Sequence, residues 1–280
     1  MRIGISLGSG GARGYAHIGV LRALEEAKVK ISLINGSSIG AIIGGAYALH
    51  RDSEWLTELV VRLSERMNVH YFNIFRFPAD RHPVLRNWLI KGVCDLSALR
   101  ASALSHRVNR RALKFLFEEH TFAETEIPFS AVAFDLYSCR SVVLSEGRLT
   151  DGILPSISIP GIFPPVARDG MLLVDGGVLS DVPARELRAE GATFIIAVKL
   201  NEDPPPAPRN AFDLVTLVDY LKGERLSEWQ LEAADFNVRV ELPQFDSMQF
   251  DNYEHAIEAG YRTMRAALPA LLAELDGHNG

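Results

Sequence analysis

The sequence predicts an α/β fold with a central, mostly parallel sheet. Two observations carry this. The chain opens on a short apolar run, residues 2–7, that enters a glycine-rich loop and then a helical pattern from Tyr15 to Lys28, with Ile18, Leu21, Leu24 and Ala27 three apart. A second apolar stretch at about 31–35 enters a tight turn and another helical run to about residue 49. Strand–loop–helix followed by strand–turn–helix is how parallel sheets begin.

The remaining elements follow in order. Residues 53–66 read as an amphipathic helix. From Val69 to Leu89 the character changes: Tyr71, Phe72, Phe75, Phe77 and Trp88 stand among Pro78, Pro83 and charges. That stretch is either an irregular segment pinned by aromatics or an apolar cap over a site for a greasy substrate. Residues 97–119 are helical again. Phe129–Phe134 and Ser141–Leu144 are strands around a turn at 136–139, and Ser156–Pro165 is apolar and punctuated by proline. Leu172–Val174 is a short strand ending at Asp175-Gly176-Gly177, Pro183–Glu190 a helix and Phe194–Val198 a strand. Pro204 to Pro208 is linker-like. After it come a helix near 212–234, a strand near 236–242 and a helix over about 253–275, with His278 in a frayed tail. This is too little sheet for an independent unit. The expected organisation is a core over 3–200 with residues 201–280 as a C-terminal extension packed on it.

Composition narrows the function. The chain has 280 residues, 48% of them hydrophobic and 23% charged, which is enough for a sizeable core. A net charge of −6 argues against a nucleic-acid binder, which would usually be basic. The opening residues lack a secretory pattern, and no apolar run approaches the ~18–20 residues needed to span a bilayer. A cytoplasmic protein is expected. Cys94 and Cys139 are too few for a disulfide framework or metal cluster and are expected to be buried, reduced thiols. No metal and no cofactor is implied.

Chemistry concentrates at Gly36-Ser37-Ser38-Ile39-Gly40. A serine between two glycines, after a strand and before a helix, has the form of a nucleophile elbow. The plain alternative is a strand-to-helix turn with a serine cap. A serine hydroxyl needs a base and an oxyanion site. The loop Gly8-Ser9-Gly10-Gly11-Ala12-Arg13-Gly14 suits the second need, because its backbone N–H groups can converge at a helix start. A dinucleotide fingerprint fits it poorly: Arg13 stands where the third glycine belongs, and the acidic residue after the second strand is missing. Arg13 is expected to anchor the loop. After residue 175 the histidines are His255 and His278, so a Ser-His-Asp triad has little support. Asp175 is the better base. It ends an apolar strand before Gly176-Gly177, and strand ends gather at one edge of a parallel sheet. Its plain alternative is an ordinary turn aspartate.

Together these elements resemble the patatin-like phospholipase family. Residues 8–17 are similar to its glycine-rich oxyanion loop, Gly36–Gly40 to its serine elbow, Asp175-Gly176-Gly177 to its Asp-Gly element, and Ser156–Val166 to its Ser-x-x-x-Pro-x-x-Phe-Pro-Pro block. Asp251–Tyr261 resembles the C-terminal part of bacterial members. The resemblance implies a three-layer α/β/α fold. It implies Ser38 as nucleophile, Asp175 as its dyad partner and base, and the N–H groups around Gly10, Gly11 and Ala12 as oxyanion hole. Gly8, Arg13, Gly14, Gly36, Gly40, Gly176 and Gly177 are supporting motif residues. The implied substrate is a lipid ester, with peripheral membrane contact. Ser9 departs from the family's usual glycine, and serine would penalise a positive φ there. The alternative function is a low-activity adaptor that keeps the fold.

Overall fold

The computed structural model describes residues 1–67, 105–245, 250 and 252–279. The aromatic stretch at 69–89, Cys94, the start of the helix expected over 97–119 and Asp251 lie outside the described residues.

Five strands form a parallel run in the order β8 (Phe236–Val240), β7 (Phe194–Leu200), β1 (Ile3–Leu7), β2 (Leu33–Ser37) and β3 (Phe129–Asp135). Every residue of β1, β2 and β7 is buried. Strands covered on both faces read as continuous apolar runs rather than alternating ones, which is why they are visible in the sequence. The register sets Leu7 beside Gly36 on one side and beside Val198 on the other. The loop after β1 and the turn after β2 therefore leave the sheet at one height.

The far side of the sheet is antiparallel. β4 (Arg140–Leu144) pairs with β3, and β6 (Met171–Asp175) pairs with both β3 and β5 (Val166–Arg168). β2 pairs with β3 as far as Ser37 opposite Val132, and β6 takes over with Asp175 opposite Ala133. β4 overlaps both of these stretches of β3, so it must lie on the opposite edge. β2 and β6 thus share one edge of β3 and meet head to head.

Helices cover the sheet. α1 (Ala16–Glu26) follows a 3-10 turn at Gly11–Tyr15, and α2 (Ile39–His50) follows β2. α3 (Ser53–Met67) packs on α1 and α2, and α4 (Arg107–Phe117) packs on the helix that follows β4, with Leu56, Val60, Leu113 and Phe117 buried in the core. α5 (Leu149–Ser156), where the sequence suggests no element, carries Pro155 in its last turn, and α6 (Ala184–Ala189) is short. α7 (Ala211–Leu231) precedes β8, and α8 (Tyr253–Asn279) packs along α1, burying Met264, Leu268 and Leu271 in the same core.

Two expectations fail. His278 does not fray: α8 runs to Asn279, and the His278 ring stands edge-on to Phe194 at 5.1 Å between centroids. Cys139 is a free thiol but exposed, because it falls in the β3–β4 turn with φ 56°. A short turn leading to the outer strand β4 has nothing to bury it.

Candidate active site

Ser38 stands between the end of β2 and the first turn of α2, with φ 54° and ψ −123°. A serine held there costs about 1–3 kcal/mol, a strain typical of functional positions. The flanking glycines are required by close approach. A Cβ on Gly36 would lie 2.3 Å from the Gly40 carbonyl carbon, and one on Gly40 would lie 2.1 Å from Leu7 O. The Ser38 N–H donates to Ser156 Oγ (3.0 Å), and Ser156 Oγ donates to Val132 O (2.6 Å). Ser156 thus satisfies the β3 carbonyl left free where β2 ends.

Ser38 Oγ donates to Asp175 Oδ2 at 2.7 Å, with the two residues 8% and 5% exposed. Asp175 Oδ1 accepts the Gly177 N–H (2.8 Å), and the Asp175 N–H donates to Ser158 O (3.0 Å). Each carboxylate oxygen has its own donor, so the plane of the group is fixed. Burial pushes the Asp175 carboxyl up to about 7. The bonds from Ser38 and Gly177 oppose this, and the nearby Asp181 charge adds to it. The sequence predicts Asp175 at the end of a strand parallel to β2. In fact β6 is antiparallel to β3 and enters from the other end, and it delivers the carboxylate because it stops where β2 stops.

The glycine loop is held from three sides. Gly8 N–H donates to Val198 O (3.0 Å), Ser9 N–H donates to Asp181 O (3.0 Å), and His17 Nε2 donates to Gly8 O (2.8 Å). Burial depresses His17 to about 4, so the ring is neutral and Nε2 carries the proton. The left-handed positions are Gly10 (φ 148°) and Gly11 (φ 58°); Ser9 is not among the positive-φ residues, so the penalty expected for it does not arise. The first bond of the 3-10 turn runs from Arg13 N–H to Gly10 O (3.2 Å). The N–H groups of Gly11 and Ala12 precede it and, as at any helix start, have no acceptor within the turn. Arg13 is buried and pairs with Glu202 beyond β7. His255 stacks on Phe245.

An apolar cavity of about 120 Å³ runs along α2, its lining starting at Ile39, the residue after Ser38. It is lined by Tyr15, which ends the 3-10 turn, by Ile39, Ile42 and Ala46 along α2, and by Leu56 and Leu116 from α3 and α4. Among the described residues no group of three His, Cys, Asp or Glu is placed to hold a metal ion.

Sequence reasoning named Ser38, Asp175 and the loop, and the structure brings these together. It gave no role to Ser156, His17 or Asp181, whose contacts cross 24, 9 and 172 residues of chain to Val132, Gly8 and Ser9.

The family model for patatin-like phospholipase matches residues 5–188. The chain belongs to the patatin-like phospholipase family. This patatin-like chain is 35% identical over 218 residues to an uncharacterized NTE family protein of Mycobacterium tuberculosis, covering 77% of this chain and 53% of the relative. It is 32% identical to the lysophospholipase NTE1 of Mycosarcoma maydis, over 75% of this chain and 10% of that protein. It is 30% identical to the human patatin-like phospholipase domain-containing protein 6, over 81% of this chain and 15% of that protein. The chain therefore spans about half the length of the first relative and a small part of the other two. Among solved structures, VipD from Legionella pneumophila aligns with a TM-score of 0.49 and 13% identity, over 96% of this chain and 66% of that one.

Proposed function

We propose that this patatin-like protein is a serine acyl hydrolase that cleaves carboxylic ester bonds of lipids, with Ser38 as nucleophile and Asp175 as base. The observation that carries this reading is the 2.7 Å bond from a strained serine to a carboxylate whose proton affinity sits near neutrality. Asp175 takes the Ser38 proton as Oγ attacks the ester carbonyl. The oxyanion is met by N–H groups of Gly10, Gly11 and Ala12, and the N-terminus of α2 adds its positive end. Asp175 then returns the proton to the leaving alkoxide. In the second half water attacks the acyl-serine, Asp175 takes its proton, and Ser38 leaves with that proton. A carboxylate of ordinary acidity would be a poor base for an alcohol. One raised to about 7 holds the proton better and is still half ionised at neutral pH.

Lipid as substrate class is supported by the family and by the apolar cavity along α2, whose lining starts at Ile39 next in sequence to Ser38 and suits an acyl chain. Peripheral contact with a membrane belongs to the same reading. It is supported by the exposed Leu214, Val215, Val218 and Leu221 on α7, a helix tied to the glycine loop through the Tyr220 hydroxyl on Glu202 O (3.2 Å) and Glu202 on Arg13.

The deciding experiment is mass spectrometry after exposure to a fluorophosphonate probe. The expected adduct is on Ser38, absent in Ser38→Ala, together with loss of p-nitrophenyl ester hydrolysis. Wild-type rates in purified Ser38→Ala would overturn the mechanism.

A further inference from the structure

Ser9 and Asp181 sit behind the residues just described. Ser9 Oγ donates to Asp181 Oδ1, and Ser9 N–H donates to the Asp181 carbonyl (3.0 Å), so one residue is gripped twice by another 172 positions away. The second Asp181 oxygen accepts from Ser227 Oγ of α7 (2.5 Å), and Ser227 is buried. The Lys199 side chain of β7, also buried, lies near enough to act on the Asp181 charge and pairs with Glu224 (2.6 Å) and Glu228 (3.7 Å) of α7. Asp181 stands six residues after Asp175, at the far end of the turn that begins with the carboxylate. Ser9 touches that turn as well: a Cβ on Gly177 would lie 3.2 Å from Ser9 Oγ, and Gly177 N–H is the donor that fixes Asp175 Oδ1.

We infer that Ser9 and Asp181 are positioning residues that lock the glycine loop to the turn carrying Asp175, so that the oxyanion N–H groups and the base keep one fixed geometry relative to Ser38. This rests on the acyl-hydrolase reading. Gly10 and Gly11 have positive φ and few constraints of their own. Their N–H groups help only if they already point at the place where charge develops. Gly8 is pinned to β7 and His17, and Arg13 is pinned to Glu202. Ser9 is the anchor directly before the two permissive glycines. Ser227 holds Asp181 from the other side, with the Lys199 charge nearby, so the grip does not swing with the turn.

The test is Ser9→Ala, with Asp181→Asn as the conservative variant that keeps a side-chain oxygen for the Ser9 hydroxyl. Active sites are counted by fluorophosphonate titration, and amide hydrogen exchange is followed over residues 8–12. In Ser9→Ala, exchange at 10–12 should rise about tenfold or more. On a soluble p-nitrophenyl ester kcat should fall about 10- to 100-fold with KM within twofold, since losing one oxyanion donor outright costs ~10²–10³. Asp181→Asn should keep at least a third of wild-type kcat. A merely structural role would lower the melting temperature and leave kcat per titrated site unchanged, and that result overturns the inference, as does unchanged exchange. If the wild type neither reacts with the probe nor hydrolyses esters, the hydrolase reading fails, and the exchange result alone then decides whether the lock exists.

Discussion

Replacing Asp175 by Asn should make the protein more stable relative to wild type as the pH rises, while abolishing turnover. Asp175 moves from an ordinary 3.8 to about 7 on folding, chiefly through burial. Below pH 4 the carboxyl is protonated in both the folded and unfolded chain and contributes nothing to the pH dependence. Between about 4 and 7 the unfolded chain releases the proton and the folded one keeps it, so wild-type stability declines as pH rises through this window. Above 7 both are ionised and the full cost is present. Each unit between the two values is worth about 1.4 kcal/mol, giving roughly 4 kcal/mol. The side-chain amide of the variant has no proton to lose in this range. Urea unfolding of both proteins from pH 4 to pH 8.5 therefore gives a difference, Asp175→Asn minus wild type, that climbs by roughly 4 kcal/mol and levels off near pH 7.5. Most other titrating groups cancel in that subtraction; Asp181, which feels the Asp175 charge, contributes a smaller part. The change in hydrogen bonding to Ser38 and Gly177 shifts the whole curve without tilting it. A difference flat to within about 1 kcal/mol, or one that falls with pH, refutes the argument that Asp175 is an ionisable group held against its charge.

The same protonation governs activity: kcat/KM should drop tenfold per unit as pH falls below about 7, measured on a neutral ester so that the substrate does not titrate. Ser38→Gly should be more stable than Ser38→Ala by about 1–2 kcal/mol in thermal unfolding, the reverse of the usual order, because only glycine is at ease at φ 54° and ψ −123°. Ala46→Leu places three extra carbons in the cavity along α2. It should cut hydrolysis of long-chain p-nitrophenyl esters at least fivefold and leave the acetate ester within twofold, with equal losses arguing that the acyl chain lies elsewhere. Leu214→Lys with Leu221→Lys, on an exposed face, should reduce flotation with lipid vesicles and leave turnover of soluble esters unchanged.

Most of the parallel half of the sheet was legible because β1, β2 and β7 are buried on both faces, and β1 and β2 each end in a glycine turn. Ser38 was legible for a stereochemical reason: only glycines at 36 and 40 leave room for the backbone of Leu7 and the first turn of α2. Asp175 was found with an incomplete argument, since a five-residue apolar run shows that a strand exists and gives neither its direction nor its neighbour. Nothing local to Ser156 announces that it bridges Ser38 and Val132, 118 and 24 residues away. Cys139 misled because residue type predicts burial on average, while a turn between two antiparallel strands decides this case. Ser9 looked like a flaw in a glycine loop. The positive φ angles fall on the two glycines that follow it, which adopt them freely, and its hydroxyl serves as an anchor.

The meeting of β2 and β6 along one edge of β3 bears on how the protein reaches its native state. Ser38 and Asp175 lie 137 residues apart and touch only because two strands divide a single edge between them. Contacts of such long range close late, after the local strand–helix units have formed. A chain emerging from synthesis would carry Ser38 for well over a hundred residues without Asp175 beside it, and β3 would show an open edge above Val132 until β6 arrives. The strand that closes that edge is the one that brings Asp175, so the Ser38–Asp175 pair forms only once β6 has docked on β3.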